Sequence, residues 1–132
     1  MILDQFRLDD KVAIVTGSAQ GLGRGIAVGL AEAGAHVALV QHVHDASETR
    51  RRIEELGRRC VTIRADLSDK GCVPTIVDTT VEELGGIDIL FNNAGIIRRA
   101  PINEFTEKDW DDVMNVNIRT LFFLSQAVGR VM

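Results

Sequence analysis

Tyrosine is absent from all 132 residues, so within them no phenolic hydroxyl is available for acid–base work. Aromatic residues are sparse in general, with five Phe and one Trp. Only two cysteines occur, Cys60 and Cys72, separated by eleven residues and with no Cys-x-x-Cys pair. That usage argues against a disulfide framework and against a four-ligand zinc site. Basic charge is in deficit: 15 Lys and Arg against 19 Asp and Glu leave a net charge of −4 and a pI near 5.3. No surplus remains to neutralise phosphates along DNA or RNA, and nucleic acid is a poor partner. The longest strictly apolar runs are four residues, as in Val12–Val15, Val37–Val40 and Leu121–Leu124, too short to span a bilayer. The first ten residues carry Asp4, Arg7, Asp9 and Asp10 and lack the apolar stretch of a secretory signal, so a cytoplasmic location is expected.

What is present is enough for a core. With 45% hydrophobic and 26% charged residues, a chain of this length reads as part or all of one folded domain. Short apolar runs alternate with helical periodicity, the pattern of parallel strands joined by crossover helices. Strands are expected at 12–16, 36–41, 60–65 and 87–92, and helices at 21–33, 45–57, 69–85 and from 106 onward. The first, second and fourth strands are apolar almost without alternation, which implies helices on both faces of the sheet. Gly34 and the pair Gly85-Gly86 end helices, Asp45 or Ser47 caps the second, and Ser68 or Asp69 the third. The charged run Glu48–Glu55 reads as a solvated helix face, and Trp110 as a packing anchor.

The strongest local signal is Thr16-Gly17-Ser18-Ala19-Gln20-Gly21-Leu22-Gly23, directly after the first strand and opening the first helix. A pyrophosphate needs backbone N–H groups and a positive helix end close by, and glycine permits that approach because it has no Cβ. Gly17 suits the tight turn, Gly21 the close approach and Gly23 the contact between helix and strand. The Lys-Ser/Thr pair of a nucleoside triphosphate loop is missing, which speaks against phosphoryl transfer.

With this motif the sequence resembles the short-chain dehydrogenase/reductase family, whose members carry Thr-Gly-x-x-x-Gly-x-Gly at this place. Asp66-Leu67 is similar to the family's adenine-contacting pair, Asn92-Asn93-Ala94-Gly95 to its Asn-Asn-Ala-Gly motif, and Asn117 to its helix asparagine. The resemblance covers nearly the whole chain. It implies a Rossmann-like, doubly wound parallel α/β sheet and a reaction that moves a hydride between a nicotinamide and the carbon of a secondary alcohol or ketone. The residues it assigns to the cofactor are Gly17, Ser18, Gln20, Gly21, Leu22, Gly23, Gln41, Asp66, Leu67, Asn93, Ala94 and Gly95. Asn117 receives a catalytic role: a helix irregularity there lets its backbone carbonyl hold a water in a proton relay. Read without the resemblance, Asp66 is a turn residue, Asn92 and Asn93 satisfy backbone groups at a strand end, and Asn117 is an ordinary helix polar residue.

An acidic residue after the second strand favours NAD, and a nearby Arg favours NADP. This chain has Gln41-His42-Val43-His44 there, with neither signature. The neutrality of Gln20, where NADP-preferring relatives often have a basic residue, favours NAD. His42 and His44, when protonated, attract a phosphate and keep NADP open. Their His-x-His spacing alone does not make a metal site, and no metal is expected.

The segments Ile96-Ile97-Arg98-Arg99-Ala100-Pro101 and Glu104–Met114 are similar to the bacterial branch of the family that acts on sugar acids such as 2-deoxy-D-gluconate. Arg98 and Arg99 then have two readings. Either they meet a small-molecule substrate's carboxylate through paired hydrogen bonds, or they are surface charges on a loop or pair with acids of a neighbouring subunit. The family's catalytic Ser and Tyr-x-x-x-Lys have no counterpart among these residues, and Ser125 lies too early to match that Ser. The expectation is therefore the amino-terminal part of one nucleotide-binding domain, cut inside its last helix, inactive alone and belonging to a homo-oligomer when complete. A non-catalytic dinucleotide-binding module is the alternative. A further glycine-loop enzyme type, an S-adenosylmethionine-dependent methyltransferase, leaves Asn92–Gly95 and Asn117 unexplained. An unpaired edge at 87–91 and an apolar helix at 121–124 would make such a chain poorly soluble or marginally stable.

Overall fold

The computed structural model describes residues 1–132. Four parallel strands, β1 (Val12–Thr16), β2 (His36–Gln41), β3 (Cys60–Arg64) and β4 (Ile89–Phe91), lie in the order β3-β2-β1-β4. Between and after them run α1 (Gly21–Glu32), α2 (Ser47–Glu55), α3 (Val73–Leu84), α4 (Glu107–Met114) and α5 (Thr120–Val131). The order reverses at β1, whose partners are β2 on one side and β4 on the other, so the cleft beyond the carboxyl ends of these strands is a topological switch point.

The apolar runs of β1 and β2 are continuous because both faces of the sheet are covered. Ile14, Ala38 and Val40 point into a core with Ile76 and Val77 of α3 and Leu124 and Val128 of α5. Val15, Val37 and Leu39 point the other way, onto Ala27 and Ala31 of α1 and Ile53 of α2. Ile14 and Leu39 are wholly buried, each stabilising the fold by roughly 1.5–3 kcal/mol.

The expected elements form, with shorter ends. β4 covers only Ile89–Phe91, and Asp88 turns its carboxylate back to accept the Val12 N–H at 2.9 Å. Asp69 caps a single 3-10 turn (Lys70–Cys72) that leads into α3, and Gly85 at φ 91° closes that helix. Asp45 accepts both the N–H and the hydroxyl of Ser47 where α2 begins. The helical region after residue 106 is not one element: α4 and α5 are joined through a π turn, Asn115–Arg119. The charged residues of α2 form the solvated, ion-paired face expected, while Thr49 and Ile53, one turn apart, are fully buried. One reading is corrected. Trp110 does not anchor packing; its side chain stands 59% exposed on α4. Ile118 and Phe122 are also exposed, and no helix is long and apolar enough to cross a membrane.

Candidate functional site

The carboxyl ends of β1 and β2 open into a cleft of about 600 Å³. Of the residues expected at a cofactor, all twelve line it: Gly17, Ser18, Gln20, Gly21, Leu22, Gly23, Gln41, Asp66, Leu67, Asn93, Ala94 and Gly95. The turn from β1 into α1 runs through Gly17 at φ 64° and Gly21 at φ 56°, a left-handed backbone that side chains other than glycine strain to adopt. A Cβ on Gly21 would meet nothing within 4 Å and would stand in the cleft itself. A Cβ on Gly23 would lie 1.9 Å from the Gly17 carbonyl oxygen, so α1 packs directly on the turn that precedes it. Gln20 at the start of α1 makes no side-chain cap, and the first N–H groups of the helix are left to the cleft.

Thr16, at the last position of β1, organises the junction with the Asn-Asn-Ala-Gly segment. Its buried hydroxyl oxygen accepts the N–H groups of Asn93 at 3.1 Å and Ala94 at 3.0 Å. Asn93 in turn donates its side-chain amide to the Gly17 carbonyl at 3.1 Å. The glycine turn and the chain after β4 are thereby tied into one wall. Asn92 faces away from the cleft and donates to the Ser125 hydroxyl on α5 at 3.1 Å.

Behind the turn, Arg24 donates to the Ala19 carbonyl at 2.7 Å and to the Thr49 hydroxyl at 3.2 Å. Thr49 donates to the Ser18 carbonyl at 2.9 Å. Ser18 is wholly buried, and its hydroxyl donates to Val40 of β2 at 3.3 Å, so that oxygen serves the loop rather than the cleft. Thr16, Arg24 and Thr49 were not picked out in the sequence as site residues. For Thr49 a signal existed, since Thr49 and Ile53 are spaced to share one helix face.

The far end of the cleft is lined by Gln41, His42, Val43, His44, Asp66 and Leu67. The Gln41 side-chain oxygen accepts the Ala46 N–H at 2.5 Å, so its amide donors are what remain for a ligand. Asp66 accepts the Ser68 N–H at 2.9 Å, and the Ser68 hydroxyl and N–H hold its carboxyl below the usual carboxylate range. His42 Nε2 lies 3.9 Å from the Asp66 carboxylate.

Asn117 sits inside the π turn, and its side chain meets the backbone of Ile96: Oδ1 accepts the Ile96 N–H at 2.9 Å and Nδ2 donates to the Ile96 carbonyl at 2.9 Å. Gly95 lies just before this contact, 3.4 Å from Asn117 Oδ1 if a Cβ is built on it. A π turn is an uncommon conformation concentrated at functional sites. The arginines of the next loop do not line the cleft. Arg98 faces Asp109 at 3.7 Å and Asp112 at 4.0 Å on α4, whereas Arg99 is exposed and has no ion-pair partner.

The arrangement fits a dinucleotide by its shape and donors: a turn with glycine at positions 17, 21 and 23, an uncapped helix start facing the cleft, and a polar pocket at the far end. Residues 11–132 match the short chain dehydrogenase family. The 2-dehydro-3-deoxy-D-gluconate 5-dehydrogenase of Escherichia coli (strain K12) is 50% identical over 130 residues, a match covering 98% of this chain and 51% of that protein. The gluconate 5-dehydrogenase of Gluconobacter oxydans (strain 621H) is 42% identical over 130 residues, again 98% of this chain and 51% of that protein. A short chain dehydrogenase from Burkholderia cenocepacia J2315, solved in complex with NADP, superposes with a TM-score of 0.93 at 42% identity, covering 96% of this chain and 52% of that one. The chain thus spans about half the length of the relatives it matches.

Proposed function

The chain belongs to the short-chain dehydrogenase family, and on that premise we propose that it forms the dinucleotide-binding part of a nicotinamide-dependent oxidoreductase acting on a sugar acid. The observation that carries this reading is the junction of Gly17, Gly23, Thr16 and Asn93, which builds a glycine-lined cradle at the switch point of the sheet. A bound nicotinamide dinucleotide would supply or accept the hydride. The residues of this chain bind and orient: Gly17, Gly21 and the start of α1 take the pyrophosphate through backbone N–H groups, and Asp66 and Leu67 border the adenine. Asn93, Ala94 and Gly95 form the wall beside the reacting end. Asn117, locked by Ile96, presents its backbone carbonyl to a proton-relay water.

Relatives whose names carry gluconate derivatives support a sugar acid as substrate class. The acid named for the Escherichia coli relative, 2-dehydro-3-deoxy-D-gluconate, differs from the 2-deoxy-D-gluconate suggested by residues 96–114. Arg98 already faces two carboxylates, so Arg99 is the arginine left for the carboxylate of a substrate. In this reading the domain continues in the remaining half of a longer homo-oligomeric enzyme, which supplies the tyrosine that these residues lack.

At neutral pH the reading favours NAD, because Gln20 and Gln41 put no fixed positive charge at the cleft. Calorimetric titration of the purified chain with NAD and with NADP tests it, with tighter binding of NAD expected at pH 7.5. Absence of binding by either dinucleotide would overturn the proposal. The missing tyrosine favours a second reading, a binding module without catalysis. Dinucleotide binding with no turnover, from a gene that ends after Met132, would select it.

A further inference from the structure

Three successive carbonyls of the glycine turn are each held by a side-chain donor from a different part of the fold. The Gly17 carbonyl accepts the Asn93 amide at 3.1 Å, the Ser18 carbonyl the Thr49 hydroxyl at 2.9 Å, and the Ala19 carbonyl the Arg24 guanidinium at 2.7 Å. Arg24 Nε also donates to the Thr49 oxygen at 3.2 Å, so the last two holders are joined to each other. A trans peptide is planar, and its N–H points away from its carbonyl. Drawing the Ser18 carbonyl toward α2 and the Ala19 carbonyl toward Arg24 of α1 therefore turns the N–H groups of Ala19 and Gln20 to the opposite side. Both residues line the cleft, and neither N–H has an acceptor within the chain, whereas the Ser18 N–H before them goes to Val40 of β2.

Thr49 and Arg24 do not line the cleft themselves. Thr49 is fully buried, and Arg24 forms no ion pair; its donors go to a carbonyl and a hydroxyl. A buried hydroxyl and a cation without a counter-ion are costly ways to fill space that valine and an apolar side chain would fill as well. Their bonds to the turn are what they contribute.

Resting on the dinucleotide reading above, we propose that Thr49 and Arg24 are positioning residues for the diphosphate of the ligand: from behind the turn they fix two peptide planes so that the Ala19 and Gln20 N–H groups face it before it binds. Successive N–H groups held on one side form a concave donor set for an anion. Donors fixed in advance lose little conformational freedom on binding, so their bonds to a charged oxygen keep more of their strength. The Arg24 charge acts in the same direction, because a guanidinium on the Ala19 carbonyl polarises that peptide and strengthens the Gln20 N–H as a donor.

The test is a proton–nitrogen NMR titration of the full chain and of Thr49→Val, Thr49→Ser and Arg24→Lys. The ligands are the dinucleotide that binds the parent more tightly, NAD or NADP, and adenosine, which has no phosphate. The first readout is the ratio of the two dissociation constants, because general damage to the domain weakens both ligands and leaves the ratio unchanged. Thr49→Val keeps shape and charge but deletes the donor, and should weaken the dinucleotide relative to adenosine by roughly tenfold, the scale of one hydrogen bond to a charged group. Thr49→Ser should restore the parent ratio. Arg24→Lys keeps the charge without the two-armed grip, and should move the ratio the same way as Thr49→Val, by roughly threefold or more. The second readout is the amide protons of Ala19 and Gln20, which should shift downfield with the dinucleotide and not with adenosine in the parent. Where Thr49→Val does not unfold cooperatively in urea, Arg24→Lys and the parent's amide shifts decide. A ratio unchanged in the folded variants, or Ala19 and Gln20 amides that ignore a bound dinucleotide, overturns this inference while leaving the dinucleotide reading intact. Failure of both dinucleotides to bind the parent overturns the dinucleotide reading and this inference with it.

Discussion

The side-chain amide of Asn117 is paired at both its ends with one residue, Ile96, accepting its N–H and donating to its carbonyl, each at 2.9 Å. The π turn of residues 115–119 and the loop that follows β4 are therefore one mechanical unit, with the cleft wall at Gly95 between them. Asn117→Ala removes both bonds and leaves two backbone groups of a half-buried residue unpaired, at an expected cost of about 1–3 kcal/mol. Asn117→Asp keeps the acceptor but sets a carboxylate against the Ile96 carbonyl. Urea denaturation should rank this variant below Asn117→Ala at pH 7 and restore part of its stability as pH falls toward about 4, because the facing carbonyl raises the new carboxyl above its ordinary value.

The glycines of α1 separate by what a methyl group would touch. Gly23→Ala drives a Cβ into the Gly17 carbonyl and should cost on the order of 1–3 kcal/mol or more while abolishing dinucleotide binding. Gly25→Ala, two residues on, meets nothing within 4 Å and should stabilise α1 by about 0.5–1 kcal/mol. Thermal melts and calorimetry of the two variants check this contrast, and equal behaviour would refute the packing of α1 on the turn.

The Thr16 hydroxyl, together with the Asn93 amide on the Gly17 carbonyl, joins the glycine turn to Asn93 and Ala94. Thr16→Val preserves the shape and deletes the acceptor, leaving the part-buried Ala94 N–H unpaired at about 1–3 kcal/mol, whereas the Asn93 N–H keeps the Phe91 carbonyl. Thr16→Ser retains the oxygen and should hold most of the stability. Dinucleotide affinity measured beside the unfolding midpoint separates loss of the wall from loss of the fold.

Acid should weaken the chain through a small set of carboxylates. Hydrogen bonds from Arg51 and then Arg52 hold Glu48 down to about 2, and those from Ser47 and Ser68 keep Asp45 and Asp66 below the ordinary range. Each folded value is depressed, so the stabilisation is complete above the unfolded value and disappears as pH falls through the folded one, between about 4.5 and 2. Urea midpoints followed from pH 7 to pH 2 should drop over that interval, and Glu48→Gln should flatten the drop.

Both thiols should be slow. Burial pushes Cys60 up to about 12 and raises Cys72 as well, and the thiolate is the reactive form. A disulfide reagent at pH 8 should modify the native chain at least about tenfold more slowly than the urea-unfolded chain. Equal rates would contradict the packing of β3 against its helices.

Composition and spacing by themselves determined the alternation of strands and helices, the sheet buried on both faces and the glycine turn, and the motifs at Thr16–Gly23, Asn92–Gly95 and Asn117 carried the family resemblance. These are legible because they rest on local rules: a two- or 3.6-residue period, a left-handed backbone open to glycine, a motif in fixed order. Tertiary structure alone decided how individual polar atoms are spent. The bonding role of Thr16 is not legible in the motif it heads, because the two N–H groups it accepts lie more than seventy residues away. The Ser18 hydroxyl turned to Val40, the Gln41 oxygen to Ala46, Arg98 to Asp109 and Asp112, and Trp110 to solvent. In each case the outcome depends on which partners the fold brings within hydrogen-bond reach and how far water is excluded there, and neither quantity is written in the identity of the residue.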